Sequence, residues 1–530
     1  MTRIAFRRWT AALLLPTLLT GCAPAAAPTG APVSPAGAET QIPEQGQEVG
    51  APKMGGTLVS TLEADDPSTL DPVLPIDNAA LFTLLQIYDQ LIRVSSENLL
   101  EPSAAESYEV SEDGMTYTFH LRLNGSFADG TPVTSEDVIF TMERLMASEN
   151  WGHLIAEGTT FEAPDDHTVV FRMPSPNAAL LSNLAIPNAS IVPKALVEAE
   201  GEAFFESPVG SGPFVLDEWL HGEKLVLARN PHYWDAPKPY LDSVVLELIS
   251  DDNTRMLNFQ SGAIDVALAV PYAQIESIDA IEGASVQVRP MFATQVVHLN
   301  TAVEPLDDVN VRLALQYATD RQGHIDAVLF GYGEPATTLW PKGLMYWDET
   351  LTGYPYDLEK AREYLAESRA PDGFDITLSY GVGESAAEQS AALLKEQWGM
   401  IGVNVEIVPL DGALQIDETI AGNYEASIIF WTSDVVDPSQ LNISHLCALT
   451  ETMAGGCNQE FDDLAADADT MTDATEREAA YHELFRIAED WSWVVPLYYF
   501  PSRTAVWDYV KGFELSPTVF ARYWDVWLDK

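Results

Sequence analysis

Positive charge is scarce in this chain of 530 residues. Lysine and arginine number 27 against 80 aspartates and glutamates, a formal net charge of −53. Phosphate would be repelled by such a chain, which excludes nucleic acid, and an anionic membrane surface, as a partner. The acids are scattered, not blocked, as on a solvated surface suited to high salt, where screening is strong. Cysteine is scarcer still, at three. Cys22 ends an apolar N-terminal segment, whereas Cys447 and Cys457 lie close together far downstream. No two further ligands at metal-site spacing accompany that pair, and His445 is the only histidine near it. In an exported chain the pair reads as a disulfide, with two buried thiols as the alternative. Closing so short a loop contributes about 3 kcal/mol in the chain-entropy account.

Catalytic signatures are missing too. Gly383-Glu384-Ser385-Ala386-Ala387 lacks the second glycine of a nucleophile elbow, and Gly381-Val382-Gly383 lacks the rest of a dinucleotide loop. No His-Glu-x-x-His occurs, and the nine histidines are dispersed. An enzyme would therefore need a site assembled in space, and neither a metal nor a cofactor is expected. With no repeat and no coiled-coil heptad, a structural envelope protein is disfavoured as well.

What is present begins with an export signal. Arg3, Arg7 and Arg8 precede an apolar stretch at residues 9–19, too short to span a bilayer comfortably, and small residues follow. Leu19-Thr20-Gly21-Cys22 resembles the bacterial lipobox, which implies that Cys22 becomes the lipidated first residue of the mature chain. A plain signal peptide with a chance cysteine is the alternative. Burial of two or three acyl chains, at about 0.8 kcal/mol per methylene, would hold such a chain to a membrane durably. Residues 22–53 are rich in Ala, Pro, Gly and Gln and cannot repay the entropy of ordering, so they form a tether. The rest, in a chain that is 47% hydrophobic, exceeds what one core usually serves, so two or three domains are expected.

Periodicity outlines those domains. Residues 214–220 and 224–229 read as a hairpin turning at His221-Gly222, after Gly210-Ser211-Gly212-Pro213, where glycine supplies unusual backbone angles. Apolar runs at 244–249 and 264–267 flank a helix at 253–260, a parallel crossover. A second crossover has strands at 376–380 and 403–408 around a helix at 386–398, and the two suggest two separate sheets. A helical run is read at 79–92. Tyr117, Phe119 and Leu121 alternate with polar residues as in a half-buried strand, and Thr134 with Asp137 makes a capping-box-like start to a helix. The aspartates of Leu306-Asp307-Asp308-Val309 can cap another. The last helix, 474–490, precedes the apolar run at 494–500.

Three strings carry a family resemblance: Gly210-Ser211-Gly212-Pro213-Phe214, Arg229-Asn230-Pro231-His232-Tyr233-Trp234 and Gln260-Ser261-Gly262-Ala263-Ile264-Asp265. Together with Gly55-Gly56-Thr57-Leu58, Phe127-Ala128-Asp129-Gly130-Thr131-Pro132 and Glu136-Asp137-Val138, they resemble the family 5 solute-binding proteins of bacterial ABC importers. This group includes the oligopeptide-, dipeptide- and nickel-binding proteins. The resemblance implies an α/β, two-lobed periplasmic-binding-protein-like (type II) fold with a small accessory domain. Lobe I would comprise residues 54–89, 206–300 and 491–530, the accessory domain 90–205 and lobe II 301–490, with a hinge near Thr301 and Tyr498.

It also implies a site. Phe430-Trp431-Thr432-Ser433-Asp434 is similar to a Trp-x-x-Asp of peptide-binding relatives, so Asp434 would meet a ligand ammonium while Trp431, Thr432 and Ser433 supply a backbone edge and a wall. Asp434 ending the strand or capping a turn is the alternative. Asp77 and Asn78 would contribute from lobe I, and Tyr498 or Tyr499 from the hinge side. No basic residue stands in a recognisable motif to meet a ligand carboxylate. The implied role is capture of di- or oligopeptides outside the cytoplasm by a lipid-anchored monomer, with delivery to the importer's permease and ATPase subunits. An oligosaccharide, an opine-like compound or a metal chelate on the same fold is the alternative, the first because 13 tryptophans offer faces for sugar rings.

Overall fold

Strand β1 (Thr57–Leu62) leads into helix α1 (Asn78–Ile87). A four-stranded antiparallel sheet follows, made of β2 (Ala105–Val110), β3 (Thr116–Leu121), β4 (Thr160–Asp165) and β5 (Thr168–Arg172) in the order β2-β3-β5-β4. Helix α2 (Ser135–Met146) packs Val138, Met142 and Leu145 into one core with Phe119 and Phe171 of this sheet. The helix start is the capping pair read above: the Asp137 carboxylate accepts from the Thr134 N–H at 2.9 Å and its hydroxyl at 2.7 Å. The hairpin β6 (Phe214–Leu220) and β7 (Lys224–Arg229) comes next, then β8 (Ser243–Leu248), helix α3 (Asp252–Gln260) and β9 (Val266–Ala267). The later chain supplies β10 (Ala284–Leu299), β11 (Phe374–Gly381), helix α4 (Ser385–Gly399), β12 (Val403–Leu410), β13 (Ala426–Thr432), helix α5 (Ala474–Trp491) and β14 (Val494–Trp507).

The structure is a computed structural model that describes residues 51–530 except 63–65, 96–97 and 519. The export signal, Cys22 and all but the last three residues of the expected tether lie outside the described residues. Lys53, at the tether's end, makes an exposed ion pair with Asp529.

The two parallel crossovers do not form separate sheets. One eleven-stranded sheet runs β12-β11-β13-β10-β14-β9-β1-β8-β7-β6, with Glu334–Pro335 pairing to β14 as the remaining strand. The reason is the length of β10 and β14, whose antiparallel ladder runs through both parallel groups. At one end, β8, β1 and β9 are parallel, with β1 lying between the two strands of the first crossover. At the other, β11 is parallel to both β12 and β13. Each end has its own apolar core, one centred on α1, β1 and β8, the other on α4, β11 and β13. These are the two lobes of a type II periplasmic-binding-protein fold, with the four-stranded sheet as the accessory domain.

The ladder between β10 and β14 has two irregularities, the wider after Pro290 and a smaller one after Gln295. Pairing runs from Ala284 opposite Trp507 to Pro290 opposite Pro501, then resumes with Thr294 opposite Tyr499. Two facing prolines have no N–H to donate, so the ladder cannot continue through them. The crossing in the first strand thus lies ahead of the expected Thr301, which instead binds the Ala454 carbonyl through its N–H and hydroxyl.

Helix α1 stops at Ile87, short of the apolar run's end at 92. The Gly212 N–H donates to the Ile87 carbonyl at 2.8 Å. A Cβ on Gly210 would lie 2.0 Å from that carbonyl oxygen, and one on Gly212 would lie 2.6 Å from its carbon. These glycines are needed for space, not for the unusual backbone angles expected of them; neither has a positive φ.

Candidate ligand-binding site

Strand β13 carries the candidate motif to the edge of its lobe. One side of β13 pairs with β10 from Leu299–Ala426 to Ala293–Thr432. On the other side β11 pairs at Ala426 and Ser427, and among the described residues no strand lies beside the edge beyond them. The carbonyls of Ile428 and Ile429 are taken by the side-chain amides of Gln415 and Gln295, which leaves the stretch from Phe430 as a free edge, with Phe430 itself 49% exposed. Such an edge can add a segment of extended main chain.

Asp434 lies just past this edge on a tightly held turn. The Ser433 N–H donates to the Phe292 carbonyl at 2.9 Å, and the Ser433 hydroxyl is spent on the Val435 carbonyl and the Gln440 side chain. Gln440 then brackets Asp434: its Oε1 accepts the Asp434 N–H at 2.7 Å, while its amide donates to the Asp434 carboxylate at 3.0 Å. Val435 is buried in the core of the accessory domain. Asp437 makes a two-pronged ion pair with Arg477 at 2.5 and 3.0 Å, both side chains almost wholly buried. Asp434 itself is half-buried and, among the described residues, meets no cation. Burial pushes its carboxyl above the usual carboxylate range, and the Gln440 hydrogen bond opposes that only in part. A carboxylate held rigid, partly dehydrated and without a counter-ion is preorganised for a cationic group.

The remaining predicted residues separate clearly. Trp431 is half-buried beside the edge, and its indole N–H donates to His298 Nε2 at 3.0 Å. His298 is fully buried, and burial together with neighbouring His445 pushes its imidazole well down, so it stays a neutral acceptor. Thr432 is half-buried and ends the β10 ladder opposite Ala293. Ser433 is buried, with its polar atoms spent internally, so it supports the turn and does not form the edge. Asp77 caps α1: its carboxylate accepts the Ala80 N–H at 2.8 Å and the Ser68 hydroxyl. Asn78 is one of the walls of a cavity described below. Tyr498 is 0% exposed, packed in the lobe II core with its hydroxyl on Ser390, and offers no surface to a ligand. Tyr499 spends its hydroxyl on the backbone of Thr337, Thr338 and Trp340. Both tyrosines are scaffold because β14 is covered on both faces where they occur. Cys447 and Cys457 are disulfide-bonded, with Cα atoms 4.8 Å apart.

Lobe I contributes a cavity of about 90 Å³ at the C-terminal ends of β1 and β9, beside the start of α1. In open α/β sheets ligands bind outside such strand ends. Asn78, Phe82, Leu268, Met291, Ser502 and Arg503 are among its walls. Met291 follows Pro290 in the unpaired gap of the crossing and precedes Phe292, which holds Ser433. The cavity and the Asp434 turn therefore flank the same short segment of β10. Sequence reasoning missed Gln440, which stands in no motif but brackets Asp434.

Comparison with known proteins agrees with this architecture. The profile of the bacterial extracellular solute-binding proteins, family 5 (middle), matches residues 100–447, more than half of the chain. The chain belongs to family 5. It is 30% identical over 471 residues to the probable D,D-dipeptide-binding periplasmic protein DdpA of Escherichia coli (strain K12), covering 86% of this chain and 91% of that one. Among solved structures, it resembles the ABC transporter-associated periplasmic binding protein DppA of Helicobacter pylori in complex with the peptide STSA, with a TM-score of 0.77 and 27% identity over 90% of this chain and 99% of the other. It resembles equally the binding protein AgaA of A. tumefaciens R10 in complex with agropinic acid, with a TM-score of 0.76, 27% identity and the same coverage. This family 5 protein is thus a solute-binding component of ABC import, a class of transport proteins and not of enzymes. No described helix is long and apolar enough to cross a membrane.

Proposed function

We propose that the protein captures peptides bearing a free terminal ammonium and delivers them unchanged to an ABC importer. The observation that carries this reading is Asp434: a partly dehydrated carboxylate that meets no cation among the described residues, at the end of a strand whose outer edge has no described strand beside it. The ammonium would meet the carboxylate while the peptide main chain lies along the edge from Phe430 to Thr432, so side chains of different ligands are not read closely. Closure of the lobes about the Pro290–Pro501 crossing would exclude water and strengthen that contact, and the ligand would shift the population toward the closed form by its differential affinity. The importer's permease would recognise that form, and its ATPase would supply the energy.

Asp434→Asn tests the reading. The substitution should weaken binding of a free-amine peptide by about 10- to 100-fold and leave its N-acetylated form nearly unaffected, as expected for losing a hydrogen bond between charged groups. Equal losses for the two peptides remove the assignment. The likeness to the agropinic acid complex supports a second reading, an opine on the same site; mass spectrometry of the co-purifying ligand decides between them.

Anchoring belongs to the same proposal. Cys22 would carry the lipid on the outer side of the cytoplasmic membrane, with residues 22–53 as the tether and the chain acting as a monomer. Cys22→Ser should release the protein from membranes, and unchanged retention in the membrane fraction counts against an anchor there.

A further inference from the structure

The accessory domain is inserted in lobe I, since α1 precedes it and β6 follows it. Its ties to that lobe include the Ala128 N–H, which donates to the Gly210 carbonyl at 2.9 Å, and the Asn124 amide, which donates to the Trp234 carbonyl at 3.2 Å. It also holds lobe II, at three places outside the β10–β14 ladder. The first is the turn that carries Asp434. Val435 is 1% exposed and shares the accessory core with Leu180 and Leu184, whereas its neighbour Val436 is buried in lobe II with Trp340 and Tyr481. The Asp437 N–H donates at 3.3 Å to the hydroxyl of Ser182, a buried residue of the one-turn helix Leu180–Asn183. The second is the end of the helix Gln459–Thr470, where the Ala178 N–H donates to the Asp469 carbonyl at 2.9 Å. A carbonyl in the last turn of a helix has no partner within it, so the accessory domain satisfies a group that lobe II leaves open. The third is the tip of the hairpin between β2 and β3. Gly114 is buried there with a φ of 67°, and a Cβ in its place would lie 2.6 Å from Cγ2 of Thr472.

We propose that the accessory domain is a clasp that joins lobe II to lobe I across the crevice and by itself holds part of the ligand-free molecules closed. The chain passes between the lobes at β10 and β14, where the facing prolines leave the ladder unpaired and bending is least opposed. If lobe II rotates there while the accessory domain stays with lobe I, Val435 must leave its seat and the Asp437 and Ala178 bonds must break. One buried valine and two hydrogen bonds can bias such an equilibrium about a hundredfold and still be undone. The clasp rests on closure about that crossing and consists of protein contacts alone, so it operates whatever solute the crevice takes. A ligand then adds its differential affinity to a closed form that is already populated.

The test places nitroxide labels on Leu257→Cys in α3 of lobe I and Lys395→Cys in α4 of lobe II, both exposed positions, in ligand-stripped protein carrying Cys22→Ser. Pulsed electron resonance reads the distances between the labels. This parent should show a closed population at the separation given by the structure, beside an open one. Gly114→Asn places a residue that tolerates a left-handed backbone against Thr472, and it should lower the closed-to-open ratio about tenfold or more. Adding Thr472→Gly, which removes the obstructed side chain, should bring the ratio back to within about twofold of the parent. Val435→Ala leaves the hairpin tip alone and should lower the ratio about tenfold. A parent found only open, or a ratio that Val435→Ala leaves unchanged, overturns the clasp even if the variant melts at a lower temperature, because the contacts then serve stability only. A loss in Gly114→Asn that Thr472→Gly does not restore overturns it as well. No peptide enters the measurement, so failure here leaves the reading of Asp434 standing.

Discussion

Asp434 and Asp437 stand three positions apart on one turn and have opposite fates. Asp437 is buried against Arg477, which also donates to the Ala468 carbonyl, so its charge is answered inside the protein. Asp434 is less buried, yet among the described residues its carboxylate meets only the Gln440 amide, and burial raises its carboxyl. The sequence places the same residue type on the same loop; burial and a protein cation separate them. A carboxylate satisfied by the fold serves the fold, whereas one that the fold partly dehydrates and leaves unanswered is available to a ligand.

Breaking the inner pair should have the largest effect. Asp437→Asn leaves Arg477 buried without its counter-charge and is expected to lower stability by about 3–5 kcal/mol, read from urea unfolding. Because it loosens the whole turn, any loss of binding should be the same for free-amine and acetylated peptides, unlike that of Asp434→Asn. An Asp437→Asn protein that lost only free-amine peptides would reverse the two roles.

A second effect concerns pH. The Asp434 carboxyl is raised in the ligand-free fold, and a ligand ammonium requires it charged. Affinity for a free-amine peptide should therefore fall as pH is lowered into the range where Asp434 takes up its proton, while that of the acetylated peptide stays flat. Parallel pH profiles for the two peptides would detach Asp434 from the ammonium.

The smallest effect is on the empty protein. A carboxyl raised by folding contributes stability below its unfolded value, near 4, and loses it as pH rises through the folded value. At neutral pH the charged Asp434 is thus a slight burden, so Asp434→Asn should raise the melting temperature of ligand-free protein a little, and the gain should vanish in acid. A lower melting temperature at neutral pH would mean that Asp434 supports the fold as Asp437 does.

Much of the local structure was legible. The β6–β7 hairpin falls on the residues where apolar alternation and His221-Gly222 put it, and Asp137 serves Thr134 at the head of α2 because capping depends on neighbours three positions apart. The Trp431-to-Asp434 string marks a strand end for the same reason. Other features depend on partners remote in sequence. Nothing near residue 87 announces that Gly210 and Gly212 will press on its carbonyl, and nothing near Tyr498 shows that lobe II will cover it. The union of both parallel groups in one sheet likewise requires β10 and β14, separated by almost two hundred residues, to lie side by side.

Periodicity, capping pairs and short motifs determined the elements, the family and the strand end that carries the candidate carboxylate, because each is settled by residues close along the chain. The tertiary structure alone decided which charges remain unanswered. Arg477 reaches Asp437 from forty residues away, whereas among the described residues no cation reaches Asp434. Whether a charge is neutralised depends on distance and burial in space, and those exist only once the chain has folded.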